Sequence, residues 1–302
     1  HESNWAFVDR DPILPVRNFW DISQLIKAIR PSNFLTGVFS KLTISDLLKI
    51  TGCHKDRRLQ KFLDLQLKLY SQESACRTAA LYGATVLQMA QSPRGLWHLH
   101  GSMQILSDSL RNSFLRDGGR LLIGHRVTKI VKEKNVNTFS IDVIDRKNNF
   151  ITLNASDIVF SLPPQTLLDL IPIDGGLSLT YRERINNLPK PSGALVFYGA
   201  LCRSDLPVNC PSHIQIFDDN FGSLFISISI ENDKRAPVGM ATLIASMFVD
   251  VDQWSTLDSQ SYKSKKNIIA KKILNIINNQ FDLSETSWAH KELSTPRSFE
   301  RW

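Results

Sequence analysis

Trp97-His98-Leu99-His100 sets two imidazoles two residues apart, and an extended backbone puts both on one side, as two metal ligands require. No third cysteine, aspartate or glutamate stands near them, so no metal site is expected. Cys53, Cys76, Cys202 and Cys210 are widely spaced and form no C-x-x-C pair, which excludes the usual zinc and dithiol patterns. A chain of this length builds a core without disulfides, so the four read as free thiols in a reducing compartment. Gly118-Gly119 and Gly175-Gly176 come nearest to a phosphate-binding loop. Neither follows a strand and opens a helix, and no G-x-G-x-x-G occurs anywhere. Neither an acid–base carboxylate pair nor a Ser/His/Asp set can be picked out. The sequence names no catalytic residue.

The elements that would position any chemistry are clearer. Residues 1–117 read as mainly helical. Phe19–Ile29 and Arg57–Ser71 are rich in helix formers, and Pro31 closes the first. Leu42–Gly52 offers Ser45 as N-cap and Gly52 as C-cap. A helical pattern continues from Thr78 to the Ser92-Pro93 break. Met103, Leu106, Leu110 and Phe114 form one apolar stripe, with Asp108, Arg111 and Asn112 opposite, and Gly118-Gly119 stop that helix.

From Arg120 the period changes. Arg120–Val131 reads as one strand running into a second. Phe139, Ile141 and Val143 alternate with Ser140 and Asp142, Asn148-Asn149 turns the chain, and Phe150–Ala155 returns. Asp157–Pro164 reads as a short apolar strand buried on both faces, hence central in a parallel sheet; a helix follows from Gln165. Four further strands between Ala194 and Val251 read as an antiparallel sheet, with Leu224, Ile226, Ile228 and Ile230 on its packed face. A lysine-rich helix, Lys263–Phe281, buries Ile269, Ile273, Ile276, Ile277 and Phe281, leaving its lysines as the wet side. The fold class is α/β (α+β).

Bulk properties narrow the partners. The chain has 302 residues and a net charge of +7, with 42% hydrophobic and 22% charged residues, which suits a globular protein. The charge is mild and no nucleic-acid motif accompanies it, so nucleic acid is not expected as a partner. The longest apolar run, Gly239–Val249, falls far short of the ~20 residues of a spanning helix. No secretory signal opens the sequence. A chain that opens on His1 and stops at Trp302 without a turn or tail reads as the centre of a longer protein.

Four blocks carry a family likeness: Leu65–Gln72, Gly95–Leu110, Asp233–Asp250 and Ser294–Trp302. Together with the order of elements, they resemble the carotenoid desaturase and isomerase family of the flavin-dependent amine oxidase superfamily, most of all its cyanobacterial-type carotenoid 3',4'-desaturases. The resemblance implies a partial FAD-linked dinucleotide-binding domain at residues 118–168. A substrate domain then comprises a helical part, 1–117, and an antiparallel sheet with a C-terminal helix, 169–302. It implies FAD as cofactor, with the Val127 backbone beside the adenine and Ser161 and Pro163 approaching the flavin. The Gly95–Met103 corner would line the substrate cavity. The implied reaction is desaturation of a polyene, a hydride passing to FAD and a proton leaving the adjacent carbon. A carotenoid cis–trans isomerase, an amine-oxidising relative and a non-catalytic module for apolar ligands remain open beside it. The missing glycine fingerprint and C-terminal flavin segment imply that this chain does not hold FAD tightly. A carotenoid substrate further implies peripheral attachment at the cytoplasmic face of a thylakoid or plasma membrane. Phe34, Leu35, Val38 and Phe39, flanked by Arg30 and Lys41, are the candidate contact.

Overall fold

The computed structural model describes residues 16, 18–31, 39–89, 99–133, 136–189, 192–218 and 221–300. Helices α1 (Phe19–Ala28), α2 (Ile44–Ile50), α3 (Arg57–Ser71) and α4 (Ala80–Met89) come first, then α5 (Gln104–Arg116). Strands β1 (Arg126–Lys132), β2 (Phe139–Ile144) and β3 (Phe150–Ala155) follow, with helices α6 (Thr166–Leu170) and α7 (Leu179–Asn186) after them. Then come β4 (Gly193–Cys202), β5 (His213–Asp218), β6 (Gly222–Ile228) and β7 (Met240–Val249). Helices α8 (Asp252–Ser255) and α9 (Ser259–Phe281), strand β8 (Trp288–Ser294) and helix α10 (Pro296–Phe299) end the succession. The run Gly239–Val249 is thus a sheet strand.

Two compact units form. One joins residues 1–102 to 192–302; the other is the stretch 103–191. The second unit therefore reaches beyond 118–168 on both sides: α5 precedes its strands, and α6 and α7 follow them.

The first unit is built on a five-stranded antiparallel sheet in the order β5-β6-β7-β4-β8. Alternation sends Leu195, Phe197 and Leu201 of β4, Leu224, Ile226 and Ile228 of β6, and Leu243 of β7 to one face. There they pack on Ile273, Ile277 and Phe281 of α9 and on Trp254. At roughly 1.5–3 kcal/mol per buried aliphatic or Phe side chain, this layer dominates the unit's cohesion. Ile230 does not join that face; it lies past the end of β6 and is half exposed.

A smaller cluster holds α2, α3 and α4 together through Ile44, Leu67 and Val86. Gly83 permits the approach, since a Cβ there would stand 2.6 Å from Ile44 Cγ1. Thr43, rather than Ser45, caps α2. Its Oγ1 accepts from the Asp46 N–H, and the Asp46 carboxylate accepts from the Thr43 N–H, a reciprocal box that Ser45 lies too far inside to form.

In the second unit, β1, β2 and β3 form an antiparallel meander with Ile130 and Val143 buried. Arg182 of α7 ties the next loop by donating to the Ile171 and Pro172 carbonyls. Helix α5 ends as expected, Gly118 taking φ +85° after it. Its apolar stripe is not packed: Met103, Leu106, Leu110 and Phe114 are all exposed. Two expected strands are absent. Leu121–Ile123 is irregular, and Asp157–Pro164 is unpaired coil in which Val159 is 94% exposed. A strand exists only against a neighbour, and no described strand lies alongside either segment.

Candidate functional site

In an antiparallel sheet every second residue faces away from the core, and those positions are ordinarily polar. In β4 and β7 they are not. Val196, Tyr198 and Ala200 alternate with the core residues of β4, and Ile244 and Phe248 do so in β7; Tyr198 lies directly opposite Ile244. Phe225 of β6 extends the patch beside Ser246. Tyr198, Ile244 and Phe248 are each more than a third exposed. The outer face of β4 and β7 is therefore a largely apolar floor, with hydroxyls at Ser246, Thr242 and Ser227; β8 borders it with Glu292 opposite Tyr198 and His290 opposite Ala200.

Helix α3 stands over one end of this floor. Gln215 of β5 fastens it: its amide nitrogen donates to the Leu65 carbonyl at 2.7 Å and to Ser223 Oγ at 3.1 Å, while its oxygen accepts from Gln66 Nε2 at 2.9 Å. Lys61 Nζ lies 3.9 Å from the Phe217 ring centroid, a further tie between helix and sheet. Beside these ties a cleft of about 330 Å³ opens, with Lys68, Leu69 and Gln72 on the helix side and Phe225, Ser246 and Phe248 on the sheet side. Such a cleft can bury one apolar end of a molecule against Leu69, Phe225 and Phe248 and offer the polar groups of Lys68 and Gln72 to an oxygen.

Two of the likeness-bearing blocks turn out to be packing devices. In the loop after β6, Asp233 accepts from Arg235 Nε at 2.6 Å and from the Arg235 and Ile230 N–H groups. Its own carbonyl accepts from the Gly101 N–H at 2.6 Å, tying residues 99–102 to the sheet. Burial alone would push the Asp233 carboxyl up; the Arg235 and Ile230 donors outweigh it and hold the group below the usual carboxylate range. In the block after β8, Thr295 is wholly buried against the Tyr262 hydroxyl, and Arg297 donates to the Leu257 carbonyl at 3.1 Å. The other lowered carboxyls serve local turns: Asp46 accepts from Thr43 in the α2 capping box, Asp258 caps α9, and Asp145 accepts from Asn149 and Lys147. Among the described residues no group of three His, Cys, Asp or Glu could hold a metal.

Val127, Ser161 and Pro163 all belong to the second unit and all lie exposed. Val127 sits on β1, an outer strand of the meander, opposite Val143 and at a register shift that runs to Lys129. Pro163 is fixed just before α6, its carbonyl accepting from the Thr166 N–H at 3.0 Å, and Ser161 lies in the coil before it. An outer strand with a bulge can offer backbone N–H and C=O to an adenine edge. A pyrophosphate would call for a glycine loop between a strand and a helix. Among the described helices of eight residues or more, α7 opens just after Gly175-Gly176, but helix α6 rather than a strand precedes that pair, and α3 and α9 open on Asp56 and Asp258. Of the Gly95–Met103 corner, residues 90–98 lie outside the described residues.

The floor residues Tyr198, Ile244 and Phe248 had not been singled out in the sequence. One signal was present: Ala194–Leu201 is apolar at every position, a pattern that marks two occupied faces.

No protein-family model and no curated protein sequence matches the chain. Solved structures do. The PF1083 protein of Pyrococcus furiosus is 16% identical with a TM-score of 0.57, over 87% of this chain and 60% of its own. An oxidoreductase from Methanosarcina mazei is 15% identical with a TM-score of 0.56, over 93% of this chain and 62% of its own. The chain thus spans about 60% of the length of these two structures. At such identities the likeness is one of fold. The mixed α/β architecture, with its helices and antiparallel sheets, is that of the Methanosarcina oxidoreductase.

Proposed function

We propose that this chain is the substrate-holding part of an FAD-dependent carotenoid desaturase. The observation that carries the reading is the apolar patch on the outer face of β4 and β7, set in a fold shared with an oxidoreductase. Removing hydrogen from a polyene needs a hydride acceptor, which a bound flavin supplies. It also needs an apolar surface that aligns the chain of double bonds and excludes water. Val196, Tyr198, Ala200, Ile244 and Phe248 supply that surface, and the cleft beside α3 receives one end of the substrate. Carbon–carbon chemistry of this type asks for no charged group at the reacting bond, and Glu292 and His290 stand at the β8 border of the patch. The family resemblance in the Leu65–Gln72 and Asp233–Asp250 blocks points to a carotenoid among apolar substrates.

The test is direct binding. The 302-residue chain, titrated with a carotenoid in detergent micelles, is expected to quench its tryptophan fluorescence saturably and to shift the polyene absorption. Ile244→Ser with Phe248→Ser should weaken binding about tenfold or more while far-UV circular dichroism stays unchanged, because two half-exposed side chains contribute roughly 1 kcal/mol each to a ligand that covers them. An absorption spectrum unaltered by the wild-type chain, or equal affinity in the double variant, would refute the assignment.

A further inference from the structure

Helix α1 faces the wrong way for a helix that serves a core. Phe19, Ile22, Ile26 and Ile29 follow one another at spacings of three, four and three, so they share one stripe along its length. That stripe points outward: Phe19 is 90% exposed and Ile26 is 67% exposed, and Trp20 beside it is also well exposed. The residues turned inward are Asp21 and Ala28. Asp21 is the helix's own carboxylate, and it is held in a reciprocal box with Asn18, accepting from the Asn18 N–H while Asn18 Oδ1 accepts from the Asp21 N–H at 2.9 Å. The outward side is left without negative charge. Lys27 lies over the Trp20 ring, its Nζ 5.8 Å from the centroid, and Arg30 follows the helix end.

An apolar stripe, an indole at its margin and a lysine ammonium beside that indole are what a helix lying in a lipid headgroup layer requires. We propose that α1 docks this protein on an anionic bilayer surface, with Phe19, Ile22 and Ile26 in the acyl boundary and Trp20 and Lys27 among the headgroups. The net charge of +7 favours the same surface. A second copy of the chain fits less well. Ten helical residues span about 15 Å, and one side roughly 10 Å wide offers far less than the ~800 Å² per partner of a stable dimer. Of the patch expected from sequence, Phe34, Leu35 and Val38 lie outside the described residues, and Phe39 is partly exposed. Among the described residues no helix is long and apolar enough to cross a membrane, so attachment through α1 is at the surface.

The experiment is co-sedimentation of the full chain with vesicles of phosphatidylcholine alone and of phosphatidylcholine with phosphatidylglycerol. Binding is expected to the anionic vesicles. Phe19→Ser with Ile26→Ser should lower the partition coefficient about tenfold or more, and Lys27→Gln about fivefold. Should the double variant fail to fold, Phe19→Ser alone carries the test, on a side chain that makes almost no internal contact. The vesicles contain no polyene, so this result stands apart from the proposed activity. Unaltered partition in the variants overturns the proposal, as does a wild-type chain that ignores anionic vesicles. Loss of a dimer in the variant with vesicle binding unchanged overturns it in favour of a second copy.

Discussion

Asp233 is only 4% exposed, yet it carries a charge that three donors hold in place. Removing one partner of a buried ion pair leaves the other desolvated and unmatched, which costs about 3 kcal/mol. Asp233→Asn should therefore lower the urea midpoint at neutral pH by a corresponding amount. The pH dependence follows from the depressed folded pKa. The carboxylate's stabilising contribution is complete above about pH 4, the unfolded value, and is lost as the pH falls through the lower folded value. Wild type and variant should converge in stability as the solution is taken below pH 4, measured by denaturation at a series of pH values; a constant gap would contradict the assignment. None of this was legible in the sequence. Nothing in the order Asp233-Lys234-Arg235 marks the carboxylate as buried, and only the fold brings Gly101 and the β6 end around it. The cap of α2 was missed for a smaller reason, since Thr43 and Ser45 are both good caps and only the Asp46 box decides between them.

At the scale of elements, alternation and helical stripes were reliable wherever one face meets a core. The β4–β7 strands and α9 follow the pattern closely, and their cores can be tested: Ile273→Ala, at a wholly buried site, should cost about 2–5 kcal/mol. Ile268→Ala on the exposed side of the same helix should cost under about 0.5 kcal/mol, both read from urea unfolding. Strand β8 escaped notice because its inward residues, Trp288 and Leu293, break strict alternation. Leu201 pairs with Trp288 and Ala200 with His290, so Ala289 is the extra residue of a bulge, and the period is lost. Asp157–Pro164 failed the other way: its composition suits a central strand, but pairing depends on neighbours that a local pattern does not contain.

For the molecule as a whole, the division into two units sets an expectation for stability. The first unit owns the large sheet–helix core, whereas the second buries little beyond Ile130, Val143, Ile171 and Ile185. Opening free energies track such cores. Hydrogen exchange followed by mass spectrometry should find the amides of β1, β2 and β3 exchanging well ahead of those of β4, β6 and β7; equal protection would mean that the two units open together. The mixed α/β class was readable from the order of periods along the chain, but the unit boundaries were not, because α5, α6 and α7 join the meander by contacts that no local composition announces.

Strand β4 has a consequence for biosynthesis. It is flanked on both sides, by β7 and by β8, and both partners come later in the chain: Val196 waits for Ser246 on one edge and for Ser294 on the other. A ribosome adding about 5–20 residues per second needs roughly 5–20 s to supply that last partner. Through that interval a strand apolar at nearly every position has left the exit tunnel with an open edge. The nascent chain is thus most exposed to mispairing before Met240–Val249 is made, when both edges of β4 are open, and one edge stays open until Trp288–Ser294 follows; a holding chaperone that engages extended apolar segments would find its target at Ala194–Leu201.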